Sequence, residues 1–343
     1  MNRNLIYLII LIVLAVGTYF LVINKSWGTL DADETAFAVD DTAAIGKILI
    51  ADMQGKKVVL ERQKNLWIVN GKFPVRNDYM EMLLSTIKRV TINYPVPETA
   101  MNTVVKEMAS HNKKVEIYDK KGKLMKAYFV GGPSLDALGT YMLMEKAKTP
   151  YVTAIPGFLG VLDTRYSTDE QVIRSLTIYN FRLNEIKEVS VTYTEKPDSS
   201  FTIGVLGPDS FKIKNLKSEI YPASILDKER LHAYLNLFRF INAEAFVNDL
   251  AKKDTILDTP PFVTITLTDR QNQNHITTCY HMPIQRESPM QYDEKGNPLK
   301  YDNDRYFATV NNGQDFVIIQ RFHFGRLFKN GNYFLHPQKR AMQ

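Results

Sequence analysis

The run HITTCYH carries the side chains best suited to chemistry, namely His275, Cys279 and His281. In an extended strand, residues of like parity point to one face, so all three share a side. At about 3.3 Å per residue, however, His275 and Cys279 stand roughly 13 Å apart, and zinc bonds are only about 2.0–2.3 Å long. That leaves Cys279 and His281 as weak candidates for a metal pair, with every further ligand to come from elsewhere. Packing and a hydrogen-bonded histidine are the simpler expectation, and no metal or other cofactor is predicted. A lone cysteine can form no internal disulfide, so it does not report the redox compartment.

Two other segments have the composition of binding sites. VGGPS, with Gly131 and Gly132, could offer backbone N–H groups to an anion, but no GK[ST] follows, and the expectation is a turn. The stretch from Glu287 to Asp304 gathers Asp293, Glu294, Asp302 and Asp304 without the EF-hand order of glycine at the sixth place and glutamate at the twelfth. It is expected to be a solvated loop. No G-x-S-x-G, H-E-x-x-H or S-x-x-K motif stands out, so no catalytic residue is assigned.

The elements that would position these groups fall into two similar series. Ile45, Ile48 and Ile50 open a strand-like run, matched 141 positions later by Ile186, Val189 and Val191. Each run leads through a hairpin to an aromatic-led strand, at Trp67 and Phe211, and Asn70-Gly71 is a hairpin-turn pair. Then comes an amphipathic helix. Met80, Leu83, Leu84 and Ile87 correspond at an offset of 151 to Leu231, Tyr234, Leu235 and Phe238, with the i, i+3, i+4, i+7 spacing of one apolar face. Shorter helices are expected near Glu98–Ser110 and Ala243–Ala251, followed by VEIYD matched to VTITLTD through Val115 and Ile117 against Val263 and Ile265. Strands KAYFVGG, TYMLME and PYVTAI close the first series, and HITTCYH, RYFATV and DFVIIQ the second. The fold class is therefore α+β, two halves of antiparallel strands with one or two helices packed on one side. The halves span residues 42–165 and 183–336, joined by 166–182, where Ser167 and Glu170 have capping-box spacing.

Residues Leu5 to Ile23 contain no charge and no proline. Such a run extends about 28 Å as a helix, close to the ~30 Å hydrocarbon core. No Ala-x-Ala cleavage pattern follows, so residues 1–24 are expected to be an uncleaved single-pass transmembrane anchor, with residues 25–41 as linker and 337–343 as tail. Arg3 and the amino terminus favour a cytoplasmic start, which puts the body in the periplasm or outside the cell. Beyond the anchor the chain carries 42 basic and 37 acidic residues. That modest, interspersed excess lacks the concentrated basic stripe of a nucleic-acid binder, so no nucleic acid is expected. The nearest approach to one is the tail, with Arg321, Arg326, Lys329, Lys339 and Arg340, read as a solvated surface.

In its apolar amino-terminal segment, IGKILIADMQGKKVVLERQKNLWIVNG, VRNDYMEMLLSTIKRV, YFVGGPS, TPYVTAIPGF and STDEQVIRSLTIYNF, the chain resembles the bacterial domain of unknown function 4340 family. The likeness runs from about Phe37 to Phe246 and is loosest towards the carboxy terminus. It implies a membrane-tethered envelope protein, often encoded beside ABC-transporter components similar to those of gliding-motility systems, and it supplies no catalytic residues. The function expected is non-enzymatic: an accessory or scaffold protein docking on the membrane and on a protein partner in the cell envelope. The alternatives are a module binding a glycan, peptide or lipid in a cleft between the halves, and an unrecognised enzyme.

Overall fold

A computed structural model describes residues 32–336 apart from Asn65, Ser218 and Glu287. The expected anchor and tail lie outside these residues. Among the described residues no helix is long and apolar enough to cross a membrane. The fold is α+β, built mainly from antiparallel sheets, and the chain divides after Ser175 into two compact units.

The first unit contains β1 (Ile45–Asp52), β2 (Lys57–Gln63), β3 (Leu66–Val69), β4 (Phe73–Pro74), α1 (Asn77–Arg89), β5 (Thr91–Pro95), α2 (Glu98–Ser110), β6 (Lys113–Asp119), β7 (Leu124–Pro133), β8 (Thr140–Met144), β9 (Tyr151–Ala154) and α3 (Glu170–Ile173). Its nine strands lie in the order β4-β3-β2-β1-β6-β7-β8-β9-β5. Asn70 and Gly71 both have positive φ and turn β3 into β4. Met80, Leu83 and Ile87 of α1 are buried with Ile45, Ile48 and Ile50 of β1 in the main core.

The second unit contains β10 (Thr177–Tyr179), β11 (Ile186–Tyr193), β12 (Phe201–Gly207), β13 (Ser210–Asn215), α4 (Lys228–Leu235), β14 (Ile241–Asn242), β15 (Ala245–Phe246), α5 (Lys253–Leu257), β16 (Val263–Asp269), β17 (Asn274–Pro283), β18 (Tyr301–Val310), β19 (Asp315–Gln320) and α6 (Arg321–Phe324). Eight strands form its sheet, β13-β12-β11-β16-β17-β18-β19-β15, and β10 pairs with β14. Strand for strand this is the order β3-β2-β1-β6-β7-β8-β9-β5 of the first unit. The spacing of the matched residues has a cause: β1 is irregular between Ile45 and Lys47, and β11 between Ile186 and Glu188. Each irregularity returns the next apolar residue, Ile48 or Val189, to the core face after three positions instead of two.

Several sequence expectations need correction. Helices lie on both faces of each sheet, not one. On the face opposite α1, Val104 and Met108 of α2 pack with Tyr141 and Val152. On the corresponding face of the second unit, Ile256 and Leu257 of α5 pack with Tyr280, Met282, Phe307 and Phe316. The central strands TYMLM and YVTA are apolar at nearly every position because both their sides are covered. The helix expected at Ala243–Ala251 is instead β15 and turns, with α5 starting at Lys253. In register, Ile50 pairs with Val115 and Ile48 with Ile117, while Val191 pairs with Ile265 and Val189 with Leu267. The structural match of Val115 and Ile117 is thus Ile265 and Leu267, two residues beyond the sequence match. Parity is unchanged by a shift of two, so the apolar pattern cannot detect it. Finally, Asp169 and not Ser167 caps α3, its side chain accepting from Gln171 N at 2.9 Å.

Candidate functional site

β17 lies between β16 and β18, and this placement decides what its three candidate residues can do. Cys279 stands opposite Val263 and Ala308 in register and is fully buried in the main core of its unit. Burial pushes its thiol well above the ordinary value, which removes the thiolate needed for nucleophilic or metal chemistry at neutral pH. His281 is sandwiched between the rings of Phe262 and Tyr301, with centroids 4.4 and 4.5 Å away, and its Nε2 is 3.0 Å from Glu195 Oε1. His275 sits against Phe181, and its Nε2 is 3.0 Å from Asp269 Oδ2. This contact and the backbone N–H groups of Gln273 and Gln271 hold the Asp269 carboxyl below its usual range. Among the described residues no group of three or more His, Cys, Asp or Glu converges.

The two other sequence candidates have structural duties. Gly131 and Gly132 lie inside β7 rather than in a turn. A Cβ on Gly131 would fall 2.9 Å from Met108 Cγ and 3.2 Å from the Tyr141 carbonyl, so the glycine lets α2 approach the sheet. In the acidic stretch, Asp293 is half-buried and closes a turn, whereas Asp302 is buried rather than solvated. Its carboxylate accepts from the Ser288 hydroxyl at 2.6 Å, from Asp304 N and Arg305 N, and from the Arg305 guanidinium. The four bonds tie the loop back to the start of β18.

At least three cavities open on the described residues of the second unit, and two of them bear on binding. One, of about 500 Å³, is lined by Tyr179, Gln273, Asn274, His275, Asn311 and Gln314 among others. Its amides sit on the β16–β17 and β18–β19 turns, where Asn272, Asn311 and Asn312 all have positive φ. Such turns favour asparagine for backbone reasons alone. The other, of about 410 Å³, is mainly apolar and includes Leu183, Val205, Pro208 and Arg270.

The first unit offers a different kind of surface. Strand pairing sets the end of β1, the start of β6, the β7–β8 loop and the end of β9 side by side, through Asp52↔Lys113↔Val130, Pro133↔Thr140 and Thr140↔Thr153. At this end Met53, Leu135, Leu138 and Leu159 are exposed, Leu135 at 97% and Leu159 at 85%. The loops beneath them are pinned. Gly139 N donates to Ser134 Oγ, Leu162 N to the buried Thr140 Oγ1 at 2.6 Å, and Arg89 to the Pro156 carbonyl. Thr168 donates to Asp52 Oδ2, and the half-buried Lys113 donates to the Asp163 carbonyl at 2.7 Å. Burial lowers the Lys113 ammonium below its ordinary value. The leucines are thus held outward by ordered backbone. Their signal in the sequence is leucine inside SLDALG and GFLG, segments whose other residues are those of turns.

No protein-family model, no curated protein and no solved structure matches this chain.

Proposed function

We propose that this chain is a non-enzymatic, membrane-anchored accessory or scaffold protein of the bacterial cell envelope. The uncharged segment Leu5–Ile23 is its anchor, and the first unit binds a protein partner through the leucine-bearing end of its sheet. Leucines exposed singly on a surface need no explanation. Four apolar side chains on loops at one end of the sheet, with Leu135 almost wholly in solvent, are the observation that carries the proposal. The resemblance to the family of domain of unknown function 4340 points the same way, to a body outside the cytoplasm beside ABC-transporter components of the gliding-motility kind. The shared strand order of the two units fits duplication of one ancestral unit, of which one copy took on docking.

The test is a photo-crosslinking amino acid at position 135 or 159, activated in native membranes and followed by mass spectrometry. One stoichiometric envelope protein is expected, and it should be lost from the Leu135→Asp/Leu159→Asp double variant. Recovery of the protein alone would sink the proposal, as would full function from a body lacking residues 1–24. The amide-lined cavity of the second unit favours a second reading, a neutral polar ligand such as a glycan.

A further inference from the structure

The opposite end of the first sheet has a different character. Here Ile45 pairs with Asp119, Gln63 with Leu66, Tyr118 with Leu124, and Tyr128 with Met144. The β2–β3, β6–β7 and β8–β9 turns therefore lie in a row. They carry Lys64, then Lys120, Lys121 and Lys123, then Lys146 and Lys148, all exposed. Exposed apolar side chains sit among them: Leu66 directly follows the first turn and Leu124 follows Lys123. The carboxylates at this end are mostly committed. Asp119 accepts from the N–H groups of Lys121 and Lys123, Glu145 pairs with Lys114 at 2.7 Å, and Asp41 accepts from Ala43 N. Asp40 is exposed and Glu61 half-buried.

The second unit acts as an internal control. Its β16–β17 turn has the same geometry, with Asp269 capping in place of Asp119, yet it carries Arg270, Gln271 and Gln273 where the first unit has Lys120, Lys121 and Lys123. Its β18–β19 turn holds Asn311, Asn312 and Gln314 where the first unit's β8–β9 turn holds Lys146 and Lys148. Turn chemistry does not demand the lysines, so their concentration needs another cause. After Val39 N donates to Ile87 O on α1, the chain enters β1 at this end, where Arg62 donates to the carbonyls of Thr42 and Ala43, and Lys120 N to Ala44 O. Between Ile23 and Ala32 lie only residues 24–31, which can reach at most about 30 Å.

We infer that this lysine-rich end of the first sheet rests on anionic lipid headgroups, with Leu66 and Leu124 entering the headgroup layer. The inference rests on the anchored reading above, because a short tether gives the lysines a high effective concentration of headgroups. Lysines supply the sequence-independent attraction to the charged surface, and the two leucines supply apolar contact.

The test uses the full chain in vesicles of phosphatidylcholine alone, or with about one third phosphatidylglycerol. Brief amine acylation is read at each lysine by mass spectrometry. Lys121 and Lys123 should label roughly threefold or more slowly in the anionic vesicles, with Lys57 at the other end of the sheet unchanged. The protection should vanish in about 0.5 M salt, where screening falls to about 4 Å. A Lys121→Gln/Lys123→Gln variant, which copies the second unit's residues and keeps the turn, should lose protection at Lys120 and Lys146. Alkaline carbonate extraction reports the anchor separately. Slowed, salt-sensitive labelling supports the inference whether or not carbonate releases the chain. Equal labelling in both vesicles overturns it, and carbonate resistance would then show the anchor standing without it; an acidic protein as the true occupant would give that same equal labelling.

Discussion

Four aspartates close turns in one way. Asp52, Asp119, Asp269 and Asp293 each accept from the backbone N–H groups two and four residues on, at 2.8–3.0 Å. In each the third residue after the aspartate has positive φ: Gly55 at 83°, Gly122 at 82°, Asn272 at 63° and Gly296 at 81°. The sequence spells this as DMQGK, DKKGK, DRQNQ and DEKGN, a signal wholly local and therefore legible without a structure. A Cβ on Gly122 would meet no atom within 4 Å, so substitution there tests the backbone alone. Gly122→Ala should cost about 1 kcal/mol in urea unfolding, while Asn272→Gly should change stability by only a few tenths. The buried Asp302 was not legible as an anchor, because Ser288 reaches it across a loop whose path no local pattern dictates. Burial acts to raise its carboxyl, but the bonds from Ser288, Asp304 N and Arg305 outweigh it and leave the group below its ordinary value. A lowered folded value stabilises above the unfolded value and is lost as pH falls through the folded one. Asp302→Asn should therefore lose about 1–3 kcal/mol near neutrality, and thermal melts should show the gap closing below about pH 4.

At the scale of elements, apolar periodicity identifies α1, α2 and the sheet strands with little error, because burial of a face repeats at 3.6 or at 2. It fails where burial does not alternate. β8 is buried at its first three residues and β9 along its whole length, so neither can disclose that a second helix covers the far side. The short α5 offers five residues, too few for a periodic signal, so the pattern puts its helix at Ala243 instead of Lys253. Leu83 is fully buried in α1 and faces the core of the first unit only. Leu83→Ala should cost about 2–5 kcal/mol. Since Tyr234 at the matching place in α4 belongs to a separate core, calorimetry should show two transitions, of which this variant lowers one.

On the scale of the whole molecule, neither the leucine-bearing nor the lysine-bearing end of the first sheet was legible in the sequence. The sequence announced an apolar segment and the lack of a catalytic motif. It could not place the loops of Leu135 and Leu159 at one end of a sheet, or those of Lys121 and Lys146 at the other, because that depends on strand order. The two ends of one sheet thereby came to differ, apolar at one and basic at the other.

β4 is two residues long and ends on Pro74, β5 ends on Pro95, β15 is two residues long, and the outer side of β13 takes bonds from Tyr221 N and, at Lys214, from a bridge to Ile220. An open border of unpaired backbone invites a second chain to extend the sheet, and short, proline-bearing or covered borders refuse it. Borders of this kind let two copies of the chain collide without one sheet extending the other.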